Sequence, residues 1–317
     1  MEKRQEPSPV FAGVVASVAI LTLVGLVTYW WLPPGPRKAI PDDITGQTNA
    51  PAASQFADPT IASITPAGTD LILGIGAADH LVAISDLDED RNGLAELPRV
   101  GDFSHTDWEK LALVSPKILL TQFGDRMPAG LRDRCQQMNI AILDVKLDVV
   151  EDVYDQALRI GDALGETAQA RAAVSDMQHR LQAVAARWAN DQRPRVAIVV
   201  SDGGTIGLIG PGTFHDELLA VAGGINVAAS FHKPFVNVDR EQLSALAPDV
   251  VLDLEPSPPT TPQQMRQSKR FWDSLPDLPA VRDKHVFVID APFCMRPGWN
   301  LPELAEIFGE NLHGKGK

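Results

Sequence analysis

Residues Thr167 to Asn190 read TAQARAAVSDMQHRLQAVAARWAN. The stretch has neither Gly nor Pro and is rich in Ala, Gln and Arg, which lose little side-chain freedom in a helix. It predicts one long continuous helix, broken at Arg193-Pro194. Upstream, strand-like runs at Thr60–Thr65, Leu81–Ser85, Lys117–Thr121 and Ala141–Val145 alternate with helical patterns. The helical ones are Thr69–Gly74 (ending at Gly76), Asp107–Val114, Ala129–Met138 and Val149–Leu164. Downstream a second alternation begins, with strands at Arg195–Val200, Asp249–Leu254 and His285–Ile289 and helices at Phe214–Ala222, Arg240–Leu246 and Leu301–Leu312. Such alternation predicts an α/β protein of two Rossmann-like lobes, each a parallel sheet covered by helices, joined by one long backbone helix. The expected division is an N-terminal lobe over 59–164, an interlobe helix over 165–191 and a C-terminal lobe over 192–317. A stiff connector of this kind limits hinge motion.

The chain length, 317 residues, agrees with more than one lobe. With 28 Lys+Arg against 41 Asp+Glu the net charge is −13, a field that repels phosphate backbones and argues against a nucleic-acid partner. Two cysteines, Cys135 and Cys294, are too few for a disulfide framework or a Cys-based zinc site, and are read as small buried thiols in different lobes.

Ahead of the lobes, Val10 to Leu32 runs VFAGVVASVAILTLVGLVTYWWL without a charge. At about 1.5 Å per residue this crosses a hydrocarbon core of about 30 Å. Tyr29, Trp30 and Trp31 close the run, where amphipathic rings favour the headgroup level. The run is too long for a signal-peptide core, and Trp-Trp-Leu before Pro33-Pro34 offers no small-residue cleavage site. Residues 1–32 are therefore read as an uncleaved membrane anchor and 33–58, rich in Pro, Ala, Asp, Thr and Gln, as a flexible linker. Basic residues flank the span almost evenly, and the body is expected on the periplasmic or extracytoplasmic side, as for most N-terminal anchors of one soluble body.

Enzyme signatures are missing. Leu71-Ile72-Leu73-Gly74-Ile75-Gly76 could pass for a strand and G-x-G turn with Asp86 as the ribose acid, but the acid follows too soon and no room is left for a helix. Ser201-Asp202-Gly203-Gly204-Thr205-Ile206-Gly207 reads as a Gly-rich turn after a strand, with no long helix behind it. There is no P-loop, no G-x-S-x-G elbow, no H-E-x-x-H and no C-x-x-C. No catalytic residue, resident cofactor or metal site is assigned. His179 and His215 have no partner at ligand spacing, and loop residue His105 is read as hydrogen-bonding.

Several motifs, in order, resemble a known family over about Pro59 to His313: the substrate-binding proteins of ABC importers for cobalamin and ferric siderophores, the class built on a rigid backbone helix. They include Ile64-Thr65-Pro66-Ala67-Gly68-Thr69-Asp70, Arg99-Val100-Gly101-Asp102-Phe103-Ser104 with Trp108-Glu109-Lys110-Leu111, and Ser115-Pro116-Lys117-Ile118-Leu119-Leu120. In the second half they are Gly212-Thr213-Phe214-His215-Asp216-Glu217-Leu218-Leu219, Ala222-Gly223-Gly224-Ile225-Asn226-Val227, Asp239-Arg240-Glu241-Gln242-Leu243, Ala247-Pro248-Asp249-Val250-Val251 and Arg296-Pro297-Gly298.

The resemblance implies a binding protein that captures a metal chelate between its lobes and passes it to a permease dimer. Glu109 and Glu241, each in the first turn of a lobe helix, then dock onto arginines of the transporter's membrane subunits; without the resemblance each is a carboxylate complementing a helix dipole. Ligand contacts are expected where open sheets bind ligands, at the carboxyl ends of strands. They are Thr65, Phe103, His105 and Arg126 from the first lobe and Phe235, Arg296 and Trp299 from the second. Phe235 precedes the Asp-Arg-Glu motif, where the cobalamin-binding relatives place an aromatic residue against the ligand. Phe103 and Trp299 offer flat contact area, and the guanidinium groups of Arg126 and Arg296 suit anions. The bland alternatives are packing for Phe103 and a structural ion pair for Arg296.

The sequence departs from the family at Asp86-Leu87-Asp88-Glu89-Asp90, where aromatic residues are common, and at Trp299-Asn300, where a second arginine is common. The acidic loop disfavours a strongly anionic ligand. With Tyr29 and Tyr154 the only tyrosines, haem or bare ferric iron held by a phenolate is disfavoured too. A bulky neutral or weakly charged chelate, corrinoid or siderophore, fits best. The alternatives are a tethered sensor or scaffold of the same fold and, in another class, a nucleotide-dependent enzyme.

Overall fold

Four short apolar runs, two of them buried throughout, build the first sheet. The structure, a computed structural model, describes residues 58–89, 93–189, 192–202, 205–255 and 271–314. In chain order its first half contains β1 (Ile61–Ser63), α1 (Pro66–Gly74), β2 (Leu81–Ala83), α2 (Trp108–Val114), β3 (Ile118–Thr121), α3 (Leu131–Gln137) and β4 (Ala141–Asp144). The strands pair in the order β2-β1-β3-β4, all parallel. Every residue of β1 and β3 is buried, as a central strand with helices on both faces requires. Pro66 opens α1, where its missing N–H and fixed φ cost nothing.

Two helices follow, α4 (Val150–Leu164) and α5 (Thr167–Arg187). Gly161 lets them touch, since a Cβ there would come within 2.3 Å of Ala170 Cβ. The buried residues of α5, Ala170, Val174, Met177, Leu181 and Val184, form one stripe at alternating steps of four and three. The helix ends at Arg187, short of the expected Asn190. There Trp188 is held by α9 (Leu301–His313): its Nε1 donates to Glu306 Oε2 at 3.0 Å and its ring stacks on His313.

The second half contains β5 (Arg195–Asp202), β6 (Thr205–Ile209), α6 (Phe214–Val221), β7 (Ile225–Asn226), β8 (Phe235–Val238), α7 (Arg240–Leu246), β9 (Val250–Leu254), α8 (Pro279–Arg282), β10 (Val286–Ile289) and α9. Its sheet runs β10-β9-β5-β6-β8, with β7 also beside β5. This corrects the expectation of a second parallel sheet: β7 and β9 pair parallel with β5, and β10 with β9, but β6 runs against β5 and pairs antiparallel with both β5 and β8. The stretch Ser201–Gly207, read as a turn, instead ends β5 and begins β6, with Asp202 paired to Thr205. Gly203-Gly204 between two strands is a two-residue hairpin signal.

The core does not stop at the connector. One apolar cluster runs from Ile61, Ile118 and Leu143 through Ile160, Met177 and Leu181 to Phe308, Leu218, Ile198 and Leu252. Among the described residues no helix is long and apolar enough to cross a membrane; the Val10–Leu32 run lies outside them.

Candidate functional site

The loop that leaves β2 is held by isolated backbone bridges, Ile84 to Arg99 and Gly101 to Thr106, and the loop that leaves β3 by side chains. Asp144, at the end of β4, accepts hydrogen bonds from Thr121 Oγ1 (2.6 Å), Phe123 N (2.8 Å) and Gly124 N (2.8 Å). Thr65 Oγ1 donates to Gln122 Oε1 at 2.8 Å and is buried, so this expected ligand contact ties two loops together. The turn at 101–106 closes on Gly101, at φ 115°, where a Cβ would lie 2.3 Å from the His105 carbonyl oxygen. Between these loops lies a cavity of about 310 Å³. Phe103, His105, Trp108, Phe123 and Arg134 are among its walls. The Arg134 guanidinium sits 4.6 Å over the Trp108 ring. Thus Phe103 and His105 are brought together, while Arg126 stands exposed on the turn Gly124–Arg126 and does not line the cavity. Arg134 was not among the expected contacts, because its stacking on Trp108 depends on where α2 and α3 start. A larger concavity, about 540 Å³, borders Trp188 and Arg193 and includes none of the expected ligand contacts.

The acidic loop is built, not bare. Asp88 is buried and accepts from Thr69 Oγ1 and Ser85 N, both at 2.9 Å, while Arg99 Nη1 donates to the carbonyls of Ser85 and Asp88 at 2.8 Å. That anchoring presents Asp86 and Glu89 outward. His105 lies between two carboxylates, with Nε2 3.2 Å from Asp86 and Nδ1 3.3 Å from Asp102. One ligand atom from each of the three falls within 4.8 Å of the others. Burial raises the Asp102 pKa, but bonds from the Ser104 hydroxyl and amide, the His105 amide and the His105 charge outweigh it and hold this carboxyl below its usual range.

From the second half, Phe235 opens β8, half-buried against the shared core and paired with Ile209. It reaches its position through an antiparallel strand, not the carboxyl end of a parallel one. Nearby, Phe214 N donates to Asp148 O at 2.7 Å, a tie to the loop after β4. Arg296 is engaged by acids of the first half, with Nη2 2.9 Å from Glu89 Oε1 and Nη1 3.3 Å from Asp70 Oδ2. Trp299 Nε1 donates to Leu71 O at 3.2 Å. The ion-pair alternative for Arg296 is therefore the geometry observed.

Glu109 and Glu241 sit in matching frames. Helices α2 and α7 are seven residues each, and Asp107 and Asp239 cap them by accepting from the amides of Lys110 and Gln242. The Lys110 amide holds the Asp107 carboxyl below its usual range. Leu111 and Leu243, two residues after each glutamate, are fully buried and fix the helix face. Both glutamates are exposed. Leu113, 85% exposed, lies one turn beyond Glu109 on the same face.

The chain matches the family model described as periplasmic binding protein over residues 61–293. It is 24% identical over 246 residues, 77% of this chain and 86% of the relative, to the vitamin B12-binding protein of Vibrio cholerae. Among solved structures it resembles a periplasmic binding protein from Veillonella parvula (TM-score 0.72, 17% identity, 83% of this chain and 94% of that one). The periplasmic heme-binding protein of Vibrio cholerae is similar too, with TM-score 0.69 and 20% identity over 80% of this chain and 99% of that one. With both halves of the α/β plan inside the matched range, this chain belongs to the periplasmic binding protein family.

Proposed function

We propose that this chain is the substrate-binding component of an ABC importer, which holds a metal chelate, corrinoid or ferric siderophore, between its two halves and does no chemistry on it. The observation that carries this reading is the repetition of the Glu109 frame at Glu241, one in each half. Two exposed carboxylates on short, rigidly capped helices suit a permease dimer that presents a basic group twice. Leu113 beside Glu109 adds an apolar contact that such a partner would cover.

On this reading Phe103 and His105 face the ligand from the cavity wall, Arg126 and Phe235 meet it outside that cavity, and Thr65 braces the loop at Gln122. The aromatic walls at Phe103, Trp108 and Phe123 suit a flat organic part of the cargo. Tyr154, the one tyrosine among the described residues, is buried in the core and offers no exposed phenolate to an iron, which favours a corrinoid or siderophore over haem. The uncharged Val10–Leu32 run supports a single-pass tether with the body outside the cytoplasm. The reading is tested by titrating the full-length chain with corrinoids, ferric siderophores and haem while following tryptophan emission. Saturable quenching by a corrinoid or ferric siderophore supports it; a folded chain that answers to haem alone, or to none of them, refutes it.

A further inference from the structure

The segment between β10 and α9 reaches across to the first half. At its base His215 in α6 is fully buried, and its Nε2 lies 2.7 Å from the carbonyl oxygen of Cys294. Burial pulls this histidine down to about 4, so the ring is neutral and Nε2–H donates. From that anchor Arg296 bridges Glu89 and Asp70. Gly298 lies against Asp70, where a Cβ would come within 3.1 Å of Asp70 Cβ. Trp299 completes the crossing: beyond its bond to Leu71 O, its ring covers Gly74 so closely that a Cβ there would lie 1.2 Å from Nε1. The Arg296 and Asp70 side chains are only 12% and 7% exposed, so water and salt screen their attraction weakly. An ion pair, a hydrogen bond and a ring seated on a glycine thus fall on the one helix α1.

We propose that residues 294–299 are a strap that fastens the second half to α1 and holds the two sheets at a fixed separation before any ligand arrives. Arg296 and Trp299 are then positioning residues, acting on the ligand through the spacing of the two halves. Glu89, at the end of the acidic loop, is the catch that Arg296 closes on. A preset separation lowers the ordering cost of binding, because less freedom remains to be lost.

The test uses the full-length chain without ligand, spin-labelled at Arg132→Cys on α3 and Ser244→Cys on α7, both exposed positions. The native thiols do not interfere, because burial pushes Cys135 up to about 11 and Cys294 to about 12. Pulsed electron–electron resonance should give one narrow distance distribution in the otherwise unaltered chain. Glu89→Gln and Trp299→Leu should each broaden it, and amide exchange in residues 71–76 should rise about tenfold while exchange in α3 stays unchanged. Arg296→Met should do more, and if that variant does not fold, Glu89→Gln at an exposed site decides. Unchanged distances, or exchange that rises equally in α1 and α3, would overturn the strap. Because no ligand or transporter enters the experiment, its failure leaves the proposed binding role standing.

Discussion

Glu109 and Glu241 are structural counterparts: each is the second residue of a seven-residue helix capped by an aspartate two residues earlier. The likeness extends beyond them. Each helix ends in a left-handed non-glycine residue, Ser115 and Ala247, both at φ 44°, and each is followed by a proline and then a buried strand. Among the described residues no contact needs an acid at that exposed place, and a partner accounts for both.

Replacing either glutamate by glutamine should therefore leave stability almost untouched, since a first-turn carboxylate contributes under about 1 kcal/mol through the helix dipole. Association of the chain with the proposed permease dimer should weaken roughly tenfold for each, and the effect should shrink as salt is raised. Thermal unfolding and surface binding at two ionic strengths measure both halves of this prediction.

Two buried titratable groups should oppose each other in acid. Burial raises Asp253, whose Oδ2 accepts from Trp272 Nε1 at 2.7 Å, to about 6. Its folded form binds the proton more tightly, so its contribution is fully present below the unfolded value and is lost as pH rises through about 6. His215, depressed to about 4, has the reverse sign: its contribution is present above the unfolded value and is lost as pH falls toward 4. The two should partly cancel between about pH 4 and 6. Asp253→Asn should steepen acid destabilisation, and His215→Gln should leave a chain that gains stability as pH falls, by a few kcal/mol at most. Denaturant midpoints across that range give the answer.

Gly74 should behave against the ordinary helix scale. An alanine late in a helix normally gains about 1 kcal/mol over glycine. Here the methyl would occupy the place of the Trp299 ring, so Gly74→Ala should cost about 1–3 kcal/mol. A Trp299→Leu background should remove most of that cost, which a double-mutant cycle measures.

How much of this was legible in the sequence follows from which residues interact. Helices α7 and α4 and the strands around Ile118 and Val250 fell within a residue or so of their expected ends. The strands are buried at every residue, and each helix opens on a local bond in which the side chain of its third residue, Gln242 or Asp152, accepts from the amide just ahead of the helix. Strands β6 and β8 were not anticipated. TIGLI and FVNV are short, and their direction is set by the hairpin and the partner strand rather than by their own periodicity. The glutamate frames were readable from Asp-x-Glu ahead of a helical run, but the tie from Arg296 to Glu89 spans 207 positions and carries no local signal. Likewise nothing local announces that the Trp299 ring lies on Gly74.

Asp144 should prove to be the support of the first-half loop. Asp144→Ala leaves the Phe123 and Gly124 amides without their acceptor and should cost about 1–3 kcal/mol. Amide exchange in residues 122–127 should rise well before any change in α4, and ligand affinity should fall with it.

The most direct measurement is equilibrium titration of the full-length chain with cobalamin, cobinamide, a ferric hydroxamate, a ferric catecholate and haem, read by tryptophan emission and checked by calorimetry. The account predicts one-to-one saturable binding of a corrinoid or a ferric siderophore at micromolar or tighter affinity. It also predicts at least tenfold weakening in Phe103→Ala and Phe235→Ala, with folding retained. A folded chain that binds none of these probes, or that binds them equally well without either aromatic ring, would contradict it.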